Sequence, residues 1–335
     1  AGTYLVNDTI TYLNSLFPTF LNGNNRIGTA IFNSNAQLLG NNSYNSIFLN
    51  PGSAYTLGAG VTQTIYQSVV ADASCNSSIT LESSVSGTRA ILKKTSGIVN
   101  VNAANIQDIS ATGGATFNAV NSSDLGNNIG WIFTNATSRD LYWIGGTGNW
   151  NDPNHWSLTS GGSPVNCIPS ALDNVFFDTN SFSAINQSVT LNIENAICRN
   201  MSWLGSRFVP TLTGQYGVRI FGSLTFINQM KYTAQGEIMF KATSTGKTIA
   251  TANLLLSSPV SFAGAGGEWI LQDSLKSTKQ VSLIAGTLNA NSKVIWAYQF
   301  FSDYTSNRSL ILDNSKFRIE LGRWIVNGTN MTLSS

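Results

Sequence analysis

The acid–base and metal chemistry open to this chain rests on one histidine, three cysteines and 16 acidic residues among 335. His155 stands alone, so neither a His-based triad nor a His-rich zinc site can be built around it. Set between Asn154 and Trp156, it reads as a packing residue, with a sugar-facing surface beside Trp150 as its functional alternative. The acids are dispersed. Asp173 and Asp178 flank one short apolar run at an odd spacing, which puts them on opposite faces of a strand. A pair so placed is poorly suited to act on one substrate as acid and base. Asp140 and Asp152 are separated by a glycine loop. The sequence therefore predicts no catalytic residue and no enzyme.

Two loops bring oxygen ligands at short spacing, residues 149–154 and residues 121–128, each with a single carboxylate. Calcium sites use several oxygen ligands. Turn hydrogen bonds from side chain to backbone are the expected role of these loops, with structural calcium as the alternative. No other cofactor is expected. The cysteines are Cys75, Cys167 and Cys198. Low charge and Asn-rich loops suit an extracellular setting, where disulfides persist. Cys167 and Cys198 flank the first strands after the tryptophan-rich stretch and are the expected pair, leaving Cys75 as a small buried side chain. Trp296 and Tyr298 alternate along one strand-like run and are candidates for glycan contact by ring stacking, against a default role in the core.

These residues must be positioned by strands. Charged residues make up 10% of the chain and hydrophobic residues 42%; about 25% charged is usual. Lys and Glu, common on exposed helix faces, are scarce, while Asn, Ser, Thr and Gly fill the deficit. That balance predicts an all-β chain with many turns. The net charge is +2 and there is no basic run, which argues against nucleic acid as a partner. No apolar run reaches the length of about 18 residues that would suggest a membrane span. No signal-peptide pattern opens the chain, and both ends read as mid-strand, as in a segment of something longer.

Residues 142–177 organise the rest. Trp143, Trp150 and Trp156 sit among Gly, Asn and Pro, as expected of a compact cap that buries the rings and gives each indole N–H a partner. In residues 79–133, apolar residues alternate in short bursts, each strand burying every second residue. Ile79/Leu81 recur as Val99/Val101 twenty positions on, and Trp269, Leu288, Leu310 and Leu333 recur at similar spacing. A period near 20 with Gly or Asn corners predicts a right-handed parallel β-helix, or β-solenoid, in which Asn corners stack into ladders. Tandem antiparallel β-sandwiches are the alternative.

The runs Gly113–Ala119, Asn121–Asp124 and Gly126–Trp131, then Tyr142-Trp143, Gly148-Asn149-Trp150, His155-Trp156, Ala171–Asp178 and Ala263–Asp273, resemble the repeated modules of very large surface adhesins of gliding and biofilm-forming Bacteroidetes. The resemblance covers most of the chain and brings no catalytic residues with it. It implies parallel β-helix modules, residues 1–137 forming the end of one and residues 138–335 the cap and first part of the next. It further implies export by the type IX secretion machinery, display outside the cell, and a structural or adhesive role in gliding motility and cell adhesion. The implied partners are that machinery, neighbouring modules of the same chain, and surface glycans or abiotic surfaces. In such bacteria Asp-Ser/Thr followed by an aliphatic residue is O-glycosylated, which makes Thr9 and Ser274 candidate sites. A polysaccharide-binding or polysaccharide-cleaving β-helix protein is the alternative function.

Overall fold

The structure, a computed structural model, describes residues 10–12, 19–134 and 137–334. The chain divides into two compact units, Ala1–Thr137 and Ser138–Ser335. Both are built of parallel β-solenoid coils, about 14 turns in all. Among the described strand pairings, only Asp140–Trp143 with Trp156–Ser157 runs antiparallel. The ladders are thus those of a solenoid rather than of packed antiparallel sandwiches.

In the first unit one sheet runs through Ile10–Tyr12, Arg26–Phe32, Asn42–Leu49, Thr62–Asp72, Ile98–Asn102, Thr116–Val120 and Trp131–Thr134. A second stacks Thr19–Leu21, Ala36–Leu38, Ala54–Leu57, Ile79–Ser83, Ala104–Gln107 and Ser123–Asp124. Thr19–Leu21 pairs in parallel with Ala36–Leu38. The period-two reading holds in detail: along Ile98–Asn102 the two valines are buried and their neighbours are not. Inner residues of both sheets share one core that includes Phe32, Tyr44, Ile65, Leu81, Ile106 and Phe117. Each such side chain removed from water contributes roughly 1.5–3 kcal/mol.

The second unit has a 17-stranded and a 4-stranded sheet. Its inner spine passes in register from Val218 to Ile238, Val260, Val281 and Phe300. A second column runs Trp269, Leu288, Leu310, Leu333, so this twenty-residue recurrence marks true coil stacking. The recurrence of Ile79/Leu81 as Val99/Val101 does not. Ile79 and Leu81 pair with Ala104 and Ile106, whereas Val99 and Val101 pair with Phe117 and Ala119 on another sheet. Apolar alternation looks the same on every face of a coil, so spacing alone assigned these strands to the wrong stack.

Asparagine holds the corners in two ways. Eight of the 15 described non-glycine residues with positive φ are Asn, whose short amide tolerates that conformation. Asn side chains also bond from coil to coil. Asn174 Nδ2 donates to Asp140 Oδ1 and Asn200 Nδ2 to Asn174 Oδ1, both at 2.7 Å. In the first unit Asn102 donates to Asp72 at 3.3 Å and Asn121 to Asn102 at 3.1 Å.

Candidate functional site

The tryptophan-rich stretch sends its rings into the hydrophobic core of the second unit. Trp143, Trp150 and Trp156 are fully buried. The Trp156 ring lies edge-on to both others, with centroids 5.1 Å from Trp143 and 5.0 Å from Trp150. Phe177 stacks on Trp203 at 4.0 Å, carrying the aromatic column onward. Trp143 Nε1 donates to Gly146 O at 2.7 Å and Trp156 Nε1 to Trp150 O at 2.9 Å, the partners buried indoles require. Trp150 Nε1 has no hydrogen-bond acceptor, contrary to the expectation for all three.

His155 belongs to this packing. Its ring stacks on Trp143 at 4.6 Å, with planes 6° apart. Nδ1 lies 2.6 Å from Ile144 O, and since a carbonyl only accepts, Nδ1 holds the proton. The ring fits because residue 148 is glycine: a Cβ there would sit 2.1 Å from Nε2. The sugar-facing alternative drew on Trp150 as a partner surface, and Trp150 is wholly enclosed.

The acidic residues serve the scaffold. Asp173 is fully buried and accepts from Arg139 Nε at 3.0 Å, Arg139 Nη2 at 2.6 Å, and the backbone N–H groups of Arg139 and Ser170. A buried carboxylate is tolerated when paired and fully bonded in this way. Asp178, half-buried, accepts from Asn180 N at 2.9 Å. In the two loops weighed for calcium the carboxylates act in turns. Asp152 Oδ1 accepts from the Asn154 backbone and amide, and Asp124 Oδ1 from Gly126 N and Asn128 Nδ2.

The expected Cys167–Cys198 disulfide is absent. Cys198 is a free thiol on Ala196–Cys198, fully buried, with its strand paired to Val218–Ile220. Burial, and then the nearby Asp173 carboxylate, push that thiol far up from its ordinary pKa. Its side chain is committed to the core of the coil, while Cys167 sits half-buried in a loop, so flanking the same strands did not bring the two sulfurs together. Cys167 is disulfide-bonded. Cys75, expected to be buried and unpaired, is exposed and also disulfide-bonded.

On Val294–Ser302, Ile295 and Ala297 face inward, leaving Trp296 half-buried and Tyr298 exposed on the outer side. Trp296 is in register with Lys276 before it and Arg318 after it, and the Arg318 guanidinium lies 5.6 Å from its ring centroid. One face of this indole is thus close to a cation, as in a cation–π pair. Ser274 is half-buried, its Oγ accepting from Val294 N at 3.4 Å; Thr9 lies outside the described residues.

One feature had no signal in the sequence. An open groove of about 670 Å³ crosses several coils of the second unit, floored by glycines and edged by Glu268, Thr287, Ser309 and Thr332. Charged groups lining it are Glu268 and Arg308, and the latter is 3% exposed and bonded to backbone carbonyls. Hydrophobic periodicity reports inner faces, and this groove is made by outer ones.

Among the described residues no helix is long and apolar enough to cross a membrane. Comparison with family models, with curated proteins and with solved structures finds no match for this chain.

Proposed function

We propose that the chain is a structural and adhesive segment of a large bacterial surface adhesin, exported by the type IX machinery and held outside the cell. The observation that carries the structural half is the consumption of its reactive groups by the coils themselves. His155 stacks on Trp143, Asp173 is bonded to Arg139, and Cys198 is sealed in the core. Parallel ladders pair the backbone of each coil with the next, which gives stiffness and leaves few extended segments for a protease. The adhesive and export half rests on the resemblance of the Gly-Asn-Trp cap and the flanking runs to adhesin modules. On that reading each of the two units is part of a module in a longer array.

The test is made in a bacterium that carries the parent gene. Deletion of the segment encoding residues 1–335 should abolish attachment to glass and to glycan-coated surfaces while the remainder of the parent still reaches the surface, as read by antibody labelling of intact cells. Retention of the parent inside the cell in a strain with intact type IX export, or attachment unchanged by the deletion, sinks the proposal. The enzymatic alternative is checked by incubating the purified chain with a panel of polysaccharides and assaying reducing ends and unsaturated products.

A further inference from the structure

We infer that the groove across the second unit is a binding site for a neutral, extended oligosaccharide, an inference that rests on the adhesive half of the function proposed above. Its shape is set by coil stacking. A Cβ on Gly267 would lie 2.0 Å from Ala242 O, and one on Gly286 would lie 2.3 Å from Gly264 O. The carbonyls of the preceding coil thus exclude a side chain at both positions. Its edge is a row of polar residues in strict register: Glu268 opposite Thr287, Thr287 opposite Ser309, Ser309 opposite Thr332. Neighbouring members of such a row stand about 4.8 Å apart. Asn307 and Asn330 add amide edges at the same opening.

The chemistry of this row selects the ligand. Beneath Thr287 and Ser309 the backbone is paired on both sides, whereas Met331–Ser334 is paired with Arg308–Ile311 alone among the described strands, so an added peptide strand would find an edge under Thr332 and none under the rest of the row. Beside Ile311 and Met331, the lining carries hydroxyls, amides and one carboxylate, groups that give and take hydrogen bonds with the hydroxyls of a sugar. Arg308 does not supply a cation to the groove. Its guanidinium donates inward to Ser302 Oγ at 2.8 Å and to the carbonyls of Asn327 and Thr329. A polyanion would therefore meet the Glu268 carboxylate, which accepts from Gly246 N at 3.2 Å and has no cation of the groove beside it, and this disfavours acidic glycans. A row that repeats once per coil presents the same contact to successive units of a chain lying across it.

The experiment titrates the intact 335-residue chain by calorimetry with cellohexaose and laminarihexaose as neutral probes, hexagalacturonate as an acidic probe and a chitosan hexamer as a cationic one. The expected result is binding of a neutral hexamer, tighter than that of the cationic one, with little binding of hexagalacturonate. Thr287→Val, which removes a hydroxyl at constant shape, should weaken that binding about tenfold, the equivalent of one or two hydrogen bonds. Ser309→Tyr should abolish it by filling the row. Thr332→Tyr on the exposed rim is the second blocking variant should Ser309→Tyr lower the melting temperature. No binding of either neutral hexamer overturns the inference, as does preference for a charged hexamer. Binding that survives both blocking variants but is lost in Trp296→Ala or Tyr298→Ala also overturns it, because the sugar then sits on the aromatic face. Failure here leaves the cell-attachment test of the parent protein standing, so the two readings are separable.

Discussion

The two units hold their coils in register by different means. The first carries a buried column of amides: Asn25 Nδ2 donates to Asn42 Oδ1 at 2.7 Å, and Asn42 Nδ2 to Gln63 Oε1 at 3.1 Å. Gln63 then donates to the carbonyls of Leu38 and Gly40, and Tyr44 adds its hydroxyl to Gln63 Oε1. The second unit begins instead on packed rings, edge-to-face and stacked, from Trp143 and Trp156 through Phe177 to Trp203 and Phe226. Hydrogen bonds are directional and fix where one coil sits on the next. Rings fix it by shape and bring more apolar area. An amide column in a core is worth little net unless complete, since each unpartnered member keeps its desolvation cost. The contrast shows that a solenoid can specify register with either device, at different cost and with different tolerance of change.

Substitutions at the centre of each column separate the two. Trp203→Ala should cost about 3–5 kcal/mol by emptying a closed aromatic site, read as a lower denaturant midpoint of the second unit with the first unchanged. A smaller loss would mean that the rings are cover rather than spine. Asn42→Leu should cost about 1–3 kcal/mol by stranding the partners on both sides. A neutral result there would show that apolar contacts alone place the first unit's coils.

Alkali should weaken both units. Burial pushes the Tyr55 phenol up to about 12, and burial also raises Tyr232 in the second unit. A phenol raised in the folded state favours folding fully below its unfolded value near 10. That contribution is lost as pH rises between about 10 and 12. Thermal melts over that range should fall, and Tyr55→Phe should flatten the fall for the first unit alone. The smallest effect belongs to the exposed ladder. Asn174→Ala should cost no more than about 1 kcal/mol, and a larger loss in a urea titration would put exposed amides on a par with the buried column.

The fold was legible because inner positions repeat with period two and the second unit's later coils are near-uniform in length, as Trp269, Leu288, Leu310 and Leu333 show. It failed where coil length varied, so that Ile79 and Val99 were read as stacked when they lie on different sheets. The cap was legible through its tryptophans, since rings of that size have few places to go. Cys198 was misjudged because its place in the core depends on the following coil, Val218–Ile220, and the partner of Asp173 was not legible because Arg139 lies 34 residues earlier. The groove was invisible because its lining comes from several coils, Thr245 to Thr332, rather than from any local pattern.

The exposed ladders share an orientation with a consequence of its own. In each, the later amide gives its N–H to the oxygen before it, and the first acceptor is a carboxylate, Asp72 in one unit and Asp140 in the other. The amide dipoles therefore line up head to tail, with a negative charge at their positive end, much as an acidic residue sits at the start of a helix. Along these exposed ladders a chain that winds up from its amino end would find an acceptor waiting for each arriving amide, a direction opposite to that of the buried column, in which Asn25 and Asn42 donate forward.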